Sequence, residues 1–116
     1  PKDTPEQLAA KQAAIQDALV GATEVPLDIM RTAAACVEHA DFLARSGSRM
    51  ARSDAGVSVA FARAAVDGAS LNVYINAASI DDAERAARYR DEADRLVAQT
   101  REHCDEVFAF VKDAVS

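Results

Sequence analysis

Ser53 and Asp54 open a long and almost wholly apolar segment that is predicted to form a helix over residues 53–78. Aspartate is one of the residue types that can do acid–base chemistry, because a carboxylate can stabilise a neighbouring cation and accept a proton from water. The alternative is structural, since serine and aspartate in the first turn of a helix are both good caps. Both interpretations stay open.

Two asparagines, Asn72 and Asn76, lie one turn apart near the far end of the same segment. Residues four apart share a helix face, and a buried amide costs about 1–3 kcal/mol unless it is hydrogen-bonded. They are predicted either to bind polar groups of a ligand or to form an amide clasp between helices. Asn72 lies roughly 27 Å along the helix from Asp54, so one subunit cannot bring both to the same reacting atom.

Two arginines, Arg49 and Arg52, precede the predicted helix. Guanidinium groups beside a helix N-terminus can bind a carboxylate, although a solvated basic loop is the simpler interpretation. Glu24 is a weaker candidate acid. His39 and His103 lie among charged neighbours and are predicted to be surface residues rather than metal ligands.

The first helix is predicted to begin at a capping box formed by Thr4 and Gln7 and to run to about residue 45. Pro26 lacks a backbone donor, so a kink or break is expected one turn before it. Gly47, between two serines, is predicted to end the helix in the left-handed conformation.

The third helix is predicted to begin at Asp81, with Asp81 and Glu84 as its capping box, and to continue for about eight turns. No segment has the alternation of a strand. The expected fold is therefore all-α: a single domain over 1–116, built as a bundle of long helices of which the first is kinked. Helices of this length leave apolar faces uncovered, so a second copy or a missing segment should complete the bundle.

Composition limits the classes of function. The chain has 13 basic and 19 acidic residues and a formal net charge of −6, which disfavours nucleic acids and anionic membrane surfaces as partners. No apolar run reaches the ~18 residues of a membrane span. Cys36 and Cys104 are isolated thiols without metal-ligand spacing, which favours a reduced, cytoplasmic protein without a metal site. Because the chain begins at Pro1, we expect a processed or truncated polypeptide.

Several short segments, taken in order, resemble the cyclodeaminase/cyclohydrolase family. They are Pro1-Lys2, Ala13-Ala14-Ile15-Gln16-Asp17-Ala18-Leu19, Ala22-Thr23-Glu24-Val25-Pro26-Leu27, Gly47, Ser53-Asp54-Ala55-Gly56-Val57, Leu71-Asn72-Val73-Tyr74-Ile75-Asn76 and Asp81-Asp82. The family includes bacterial methenyltetrahydrofolate cyclohydrolases and the deaminase half of formiminotransferase-cyclodeaminase. The resemblance implies an all-helical, dimeric enzyme of folate one-carbon metabolism.

The resemblance also shows two departures. Family members are roughly twice as long and carry a Pro-Gly-Gly-Gly turn in their first half, so this chain resembles the second half alone. Where the family usually has Gly-Asn-x-Asn, this chain has Gly47-Ser48-Arg49-Met50, and Arg52 replaces an apolar residue.

The leading functional hypothesis that the resemblance implies is hydrolysis of methenyltetrahydrofolate to formyltetrahydrofolate. In this hypothesis Asp54 is the catalytic carboxylate, and Ser53, Asn72, Asn76, Arg49 and Arg52 are the substrate-binding candidates. A tetrahydrofolate derivative is the substrate and no metal is required. Cyclodeamination of formiminotetrahydrofolate is the close alternative. A non-catalytic helical module that dimerises is the alternative of another class, favoured by the missing glycine turn and the altered loop.

Overall fold

Three helices account for almost all of the chain. The computed structural model describes residues 3–116, and Pro1 and Lys2 lie outside the described residues. Helix α1 spans Pro5–Ser46, α2 spans Arg49–Ala77 and α3 spans Ala83–Val115. No residue from 3 to 116 belongs to a strand. The expected all-α fold is confirmed.

The ends of α1 follow from local chemistry and from one close contact. Gln7 N donates to Thr4 Oγ1, and Thr4 N donates to Gln7 Oε1, so the predicted capping box is confirmed. The left-handed conformation expected at Gly47 is wrong, because its φ is −84° and its backbone is extended. A Cβ there would lie 2.6 Å from the Leu43 carbonyl oxygen and 2.9 Å from Ala51 Cβ. Gly47 is therefore needed for close approach rather than for a positive φ.

Helix α1 continues through Pro26 without a break, so of the two outcomes expected there a break is excluded. Pro26 cannot donate to the Ala22 carbonyl one turn earlier. That carbonyl instead accepts a hydrogen bond from Asn76 Nδ2 of α2, at 2.8 Å. A neighbouring helix thus supplies the donor that the proline lacks.

Helix α2 begins four residues before its predicted start. Its N-cap is Ser48, whose Oγ accepts from Ala51 N at 3.3 Å. Ser53 and Asp54 consequently lie in the second turn, where every backbone N–H already has a helical acceptor. The capping interpretation of these two residues is wrong.

Helix α3 is capped by Asp82 rather than by Asp81, because the Asp82 side chain accepts from Arg85 N. Asp81 instead joins α1: its backbone N–H donates to Gln16 Oε1, and its carboxylate accepts from Gln12. An apolar stripe runs along α3 and faces the other two helices. Its buried members are Ala86, Tyr89, Ala93, Thr100, Cys104, Val107 and Val111.

The three helices pack side by side into a rod of 68 × 20 × 17 Å. The link between α1 and α2 is only two residues long, so these helices are antiparallel neighbours. One core cluster joins Leu27, Val73 and Tyr89, and the other joins Val37, Ala55 and Val111. All three helices contribute to both clusters, and α2 packs more extensively on α1 and on α3 than these two helices pack on each other.

The outer face of α2 has no covering element within the described residues. Arg63 and Asp67 are bonded to Asp105 and Arg101 of α3, so these charges lie on the α3 side. The exposed face carries no charge between residues 55 and 78. We call it the outer face of α2; its members are Val57, Phe61, Ala64, Gly68, Leu71 and Ile75. Phe61 is 73% exposed and Leu71 and Ile75 are each 68% exposed. The expectation that a second copy or a missing segment covers such apolar faces stays a prediction.

None of the helices formed by residues 3–116 combines the length and the hydrophobicity that crossing a bilayer requires.

Candidate functional site

Asp54 lies in a groove between the first two helices, which we call the α1–α2 groove. Its volume is about 330 Å³, and it is lined by Cys36, His39, Ala40 and Leu43 of α1 and by Ala51, Asp54, Ala55 and Ser58 of α2. Pockets for small ligands in proteins typically measure roughly 300–1,000 Å³. The groove is therefore large enough to hold part of a small molecule.

The segment around Asp54 divides its residues between two sides of α2. Ala55 and Gly56 are buried. A Cβ on Gly56 would lie 2.9 Å from Val111 Cγ1, so the glycine permits close packing of α2 against α3. Asp54 is exposed on the groove side, and one turn later Ser58 Oγ donates to the Asp54 backbone carbonyl at 2.9 Å. The backbone is held while the carboxylate faces the groove.

The groove combines one carboxylate with mostly small and apolar walls. Asp54 is the acidic residue of its lining, and Cys36 and His39 are the other titratable groups. Ala40, Leu43 and the other alanines supply apolar surface. An anion beside an apolar wall of this kind suits a flat cation, because the wall covers the ring while the carboxylate faces its charge. Ser53 is exposed beside Asp54 and does not line the groove.

The two arginines before Asp54 belong to the first turn of α2 rather than to a loop. Arg49 Nη2 donates to the Val115 carbonyl at 2.6 Å. A positive charge at this position stabilises α3, because the C-terminal end of a helix carries a partial negative charge. Arg52 is partly buried, and within the described residues its Nε has no hydrogen-bond acceptor. Neither side chain lines the groove. Their role in substrate binding stays a prediction.

The two asparagines lie away from the groove. Asn76 forms the clasp to Ala22 described above, which is one of the two alternatives predicted for it. Asn72 is exposed one turn earlier. Both share the unbroken helix α2 with Asp54, so the separation of roughly 27 Å between Asp54 and Asn72 holds within this chain.

Glu24 belongs to a different cleft, between α1 and α3. Arg31 lies at its centre and binds Glu92 through two nitrogens, at 2.6 and 2.7 Å, with Asp28 at 2.8 Å and Glu24 at 3.6 Å. The hydrogen bond from Arg31 lowers the pKa of Glu92. Burial, followed by the hydrogen bond to Glu24, raises the pKa of Tyr89. The geometry is that of an ion-pair network that joins two helices.

Sequence reasoning missed the position of His39. It was predicted to be a surface residue, and it is exposed, but it lies in the groove that contains Asp54. Cys36 is one turn before it on the same face. The position of His39 beside Asp54 follows from how α1 and α2 are aligned, and that alignment depends on which two residues form the link between the helices. His103, in contrast, bonds Asp41 Oδ2 at 2.8 Å and lies outside the groove.

Over residues 3–116, no three histidine, cysteine, aspartate or glutamate side chains are grouped in a way that could hold a metal ion.

Comparison with known proteins gives one family and two relatives. A family model described as formiminotransferase-cyclodeaminase matches residues 1–95. A methenyltetrahydrofolate cyclohydrolase from Methylorubrum extorquens is 38% identical over 116 residues, which is all of this chain and 56% of the relative. A formimidoyltransferase-cyclodeaminase from Sus scrofa is 34% identical over 101 residues, which is 87% of this chain and 19% of the relative. The chain thus spans about half the length of the first relative and about a fifth of the second.

Proposed function

Since the chain belongs to the formiminotransferase-cyclodeaminase family, we propose that it takes part in folate one-carbon chemistry by hydrolysing methenyltetrahydrofolate to formyltetrahydrofolate. The observation that carries the proposal is Asp54, an exposed carboxylate in a groove whose walls are mostly small and apolar. The relative that aligns with the whole chain is named for this activity.

The chemistry of the substrate explains why this site suits it. The methenyl bridge is an amidinium-like cation, and hydrolysis adds water at the bridging carbon before the ring opens. An ionised Asp54 beside that carbon would stabilise the cation and hold the attacking water. The apolar wall formed by Ala40, Leu43 and Ala55 would strengthen this interaction by keeping bulk water away from the ring.

The remaining contacts of the substrate are also proposals. Ser53 adjoins Asp54, and Arg49 and Arg52 lie in the preceding turn, where they can meet an anionic tail that leaves the groove. Asn72 and Asn76 are too distant to share the reacting carbon with Asp54 in one chain. They can contact a substrate in a site completed by a partner, or another part of a long ligand.

The decisive variant is Asp54→Asn. We expect kcat for methenyltetrahydrofolate hydrolysis to fall by ~10²–10⁴-fold, followed as loss of the substrate's absorbance. Folding should change little, because the Asp54 side chain is exposed and lies beyond the first turn of α2, and because asparagine has nearly the same size as aspartate. Asp17→Asn, an exposed aspartate on α1 far from the groove, is the matched control. Wild-type turnover by Asp54→Asn would contradict the catalytic role.

Binding can be measured without turnover, because the groove contains a natural reporter thiol. Cys36 is exposed, whereas Cys104 is only 3% exposed and burial raises its pKa. A thiol reagent should therefore label Cys36 first. Methenyltetrahydrofolate bound in the groove should slow this labelling. Equal labelling rates with and without a saturating concentration of the folate would argue that the groove is not its site.

Cyclodeamination is the second candidate reaction, supported by the relative named formimidoyltransferase-cyclodeaminase. It also needs a proton-transfer group beside a developing cation, so Asp54 would serve it equally well. Release of ammonia from formiminotetrahydrofolate, with no hydrolysis of the methenyl compound, would favour it over the first candidate.

We further propose that a second copy of the chain covers the outer face of α2. The members of this face recur at spacings of four and three residues, as in helices that pack along a shared seam. A first-half segment of a longer cyclodeaminase/cyclohydrolase domain is the alternative occupant, consistent with the 56% coverage of the first relative. Dimerisation alone, without catalysis, is the function of another class that this face supports. We place the protein in the cytoplasm, which suits two free thiols.

Sedimentation tests the partner directly. The wild-type chain should sediment as a dimer, and Phe61→Glu should shift it to a monomer by placing a charge on the outer face at its most exposed large side chain. Glu38→Gln, an exposed change on α1, is the control. A compact and stable wild-type monomer would count against the second copy as occupant.

A further inference from the structure

We propose that His39 is the proton-transfer residue that works with Asp54 in the α1–α2 groove. This inference rests on the proposed hydrolysis and adds a second role to the same site. The inference is based on the observation that His39 of α1 and Asp54 of α2 line the same groove, although the two residues do not belong to a common sequence motif.

The register of the hairpin places the two residues at nearly the same height. Helices α1 and α2 are antiparallel and joined by Gly47 and Ser48. Residues whose numbers sum to about 95 therefore lie close to one another, as Gln16 and Ser79 do, where Gln16 Nε2 donates to the Ser79 carbonyl at 3.2 Å. His39 and Asp54 sum to 93, so they are offset by about two residues, or roughly 3 Å along the helix axis. A substrate between the two walls can meet both side chains.

The surroundings of His39 are simple. The titratable groups that line the groove are Cys36 and His39 from α1 and Asp54 from α2, and α3 contributes no lining residue. The other histidine, His103, is bonded to Asp41 on a different part of the surface. Of the two histidines, His39 is the one that lies beside the candidate carboxylate.

The division of labour follows from the charges that the reaction needs. A carboxylate beside a cation is most useful while it stays ionised, so a different group should accept the proton of the attacking water. Imidazole exchanges protons in the physiological range of pH, which makes histidine the most efficient side chain for this transfer at neutral pH. In this mechanism Asp54 stabilises the charge and His39 moves the proton.

The steps balance. As the water oxygen bonds to the bridging carbon, neutral His39 accepts one proton from the water, and the cation becomes a neutral hydroxyl adduct. The imidazolium then donates that proton to the ring nitrogen as the bond between that nitrogen and the bridging carbon breaks. The hydroxyl proton leaves to solvent as the formyl carbonyl forms. One water is consumed and one proton is released.

The test compares the pH profile of kcat in the wild-type chain, His39→Gln and His103→Gln. We expect His39→Gln to lower kcat by about 10²-fold, with little change in KM, and to remove the dependence of kcat on pH in the range where imidazole titrates. His103→Gln should keep the wild-type profile. In His39→Ala, added imidazole should restore part of the lost turnover, which a purely structural role of His39 would not allow.

Protection of Cys36 from thiol reagents separates failure of this inference from failure of the proposed function. Methenyltetrahydrofolate should protect Cys36 equally in the wild-type chain and in His39→Gln. If Asp54→Asn loses turnover while His39→Gln keeps wild-type kcat and an unchanged pH profile, the role of His39 is overturned and the proposed function stands. If the wild-type chain neither hydrolyses the folate nor shows protection of Cys36, both are overturned.

Discussion

Asn76 supplies the hydrogen-bond donor that Pro26 cannot, and this pairing can be tested by a double-mutant cycle. In an uninterrupted helix the Ala22 carbonyl would accept from the backbone N–H of residue 26. Here it accepts from Asn76 Nδ2 at 2.8 Å. Asn76→Ala removes that donor and leaves the carbonyl to water, because residue 26 is still a proline.

The loss in free energy of unfolding that Asn76→Ala causes can be bounded from the structure. Asn76 is partly buried and Ala22 is exposed, so water can partly replace the lost bond. We expect the free energy of unfolding to fall by about 0.5–1.5 kcal/mol, the net contribution of an ordinary hydrogen bond. In a Pro26→Ala background the new N–H can donate to Ala22, so Asn76→Ala should cost less there. The coupling free energy should be about 0.5–1 kcal/mol.

Urea unfolding followed by circular dichroism measures all four corners of the cycle. Asn72→Ala is the matched control, because Asn72 is the same residue type one turn earlier and is exposed. It should change the free energy of unfolding by less than about 0.5 kcal/mol. Equal costs for Asn76→Ala in the two backgrounds, or a cost no larger than that of Asn72→Ala, would refute the reasoning.

Two further predictions concern stability. The hydrogen bond from His103 lowers the pKa of Asp41 below its ordinary value of about 3.8. The ionised carboxylate therefore stabilises the folded chain at pH values above about 3.8, and this stabilisation is lost as the pH falls through the lowered pKa of the folded state. Asp41→Asn should therefore be less stable than the wild type at pH 7, and urea titrations should show the difference shrinking below about pH 4; a difference independent of pH would contradict this. Gly47→Ala should lower the thermal midpoint of unfolding, because the new Cβ would lie 2.6 Å from the Leu43 carbonyl oxygen. Gly21→Ala is the control: its Cβ would meet nothing within 4 Å, so it should stabilise α1 by about 0.5–1 kcal/mol. Equal shifts of the thermal midpoint in the two variants would argue against the close contact at Gly47.

The helices were predictable because their signals are local. The Thr4 capping box, the apolar stripe of α3 and the break after Ser46 depend on residues within a turn or two of one another. The start of α2 was not predictable in this way, because Ser48 and Ser53 are both acceptable caps. The arginines between them are consistent with either a loop or a first turn. The start at Ser48 places Arg49 where it donates to the Val115 carbonyl at the end of α3, a tertiary contact that the local sequence does not reveal.

The candidate site was only half predictable for the same reason. Asp54 could be selected because it lies in a segment that resembles the family and has the residue type that the family reaction needs, but its partner across the groove could not. His39 reaches the groove through the antiparallel pairing of α1 with α2, and that register depends on a two-residue link and on the close contact at Gly47. A one-residue change in the link would rotate a different face of α1 toward Asp54.

The family-like segments of α2 combine residues that pack against the other helices with residues that stay exposed. In the segment that contains Asp54, Ala55 and Gly56 are committed to packing against the other helices, and further along α2 Asn76 is committed to the carbonyl freed by Pro26. These contacts hold the three helices in register. Asp54 has no such commitment, since it caps no helix and lies exposed in a groove. An exposed carboxylate in a mostly apolar groove therefore supports the proposed folate site, because its negative charge matches the cation of a methenyl folate.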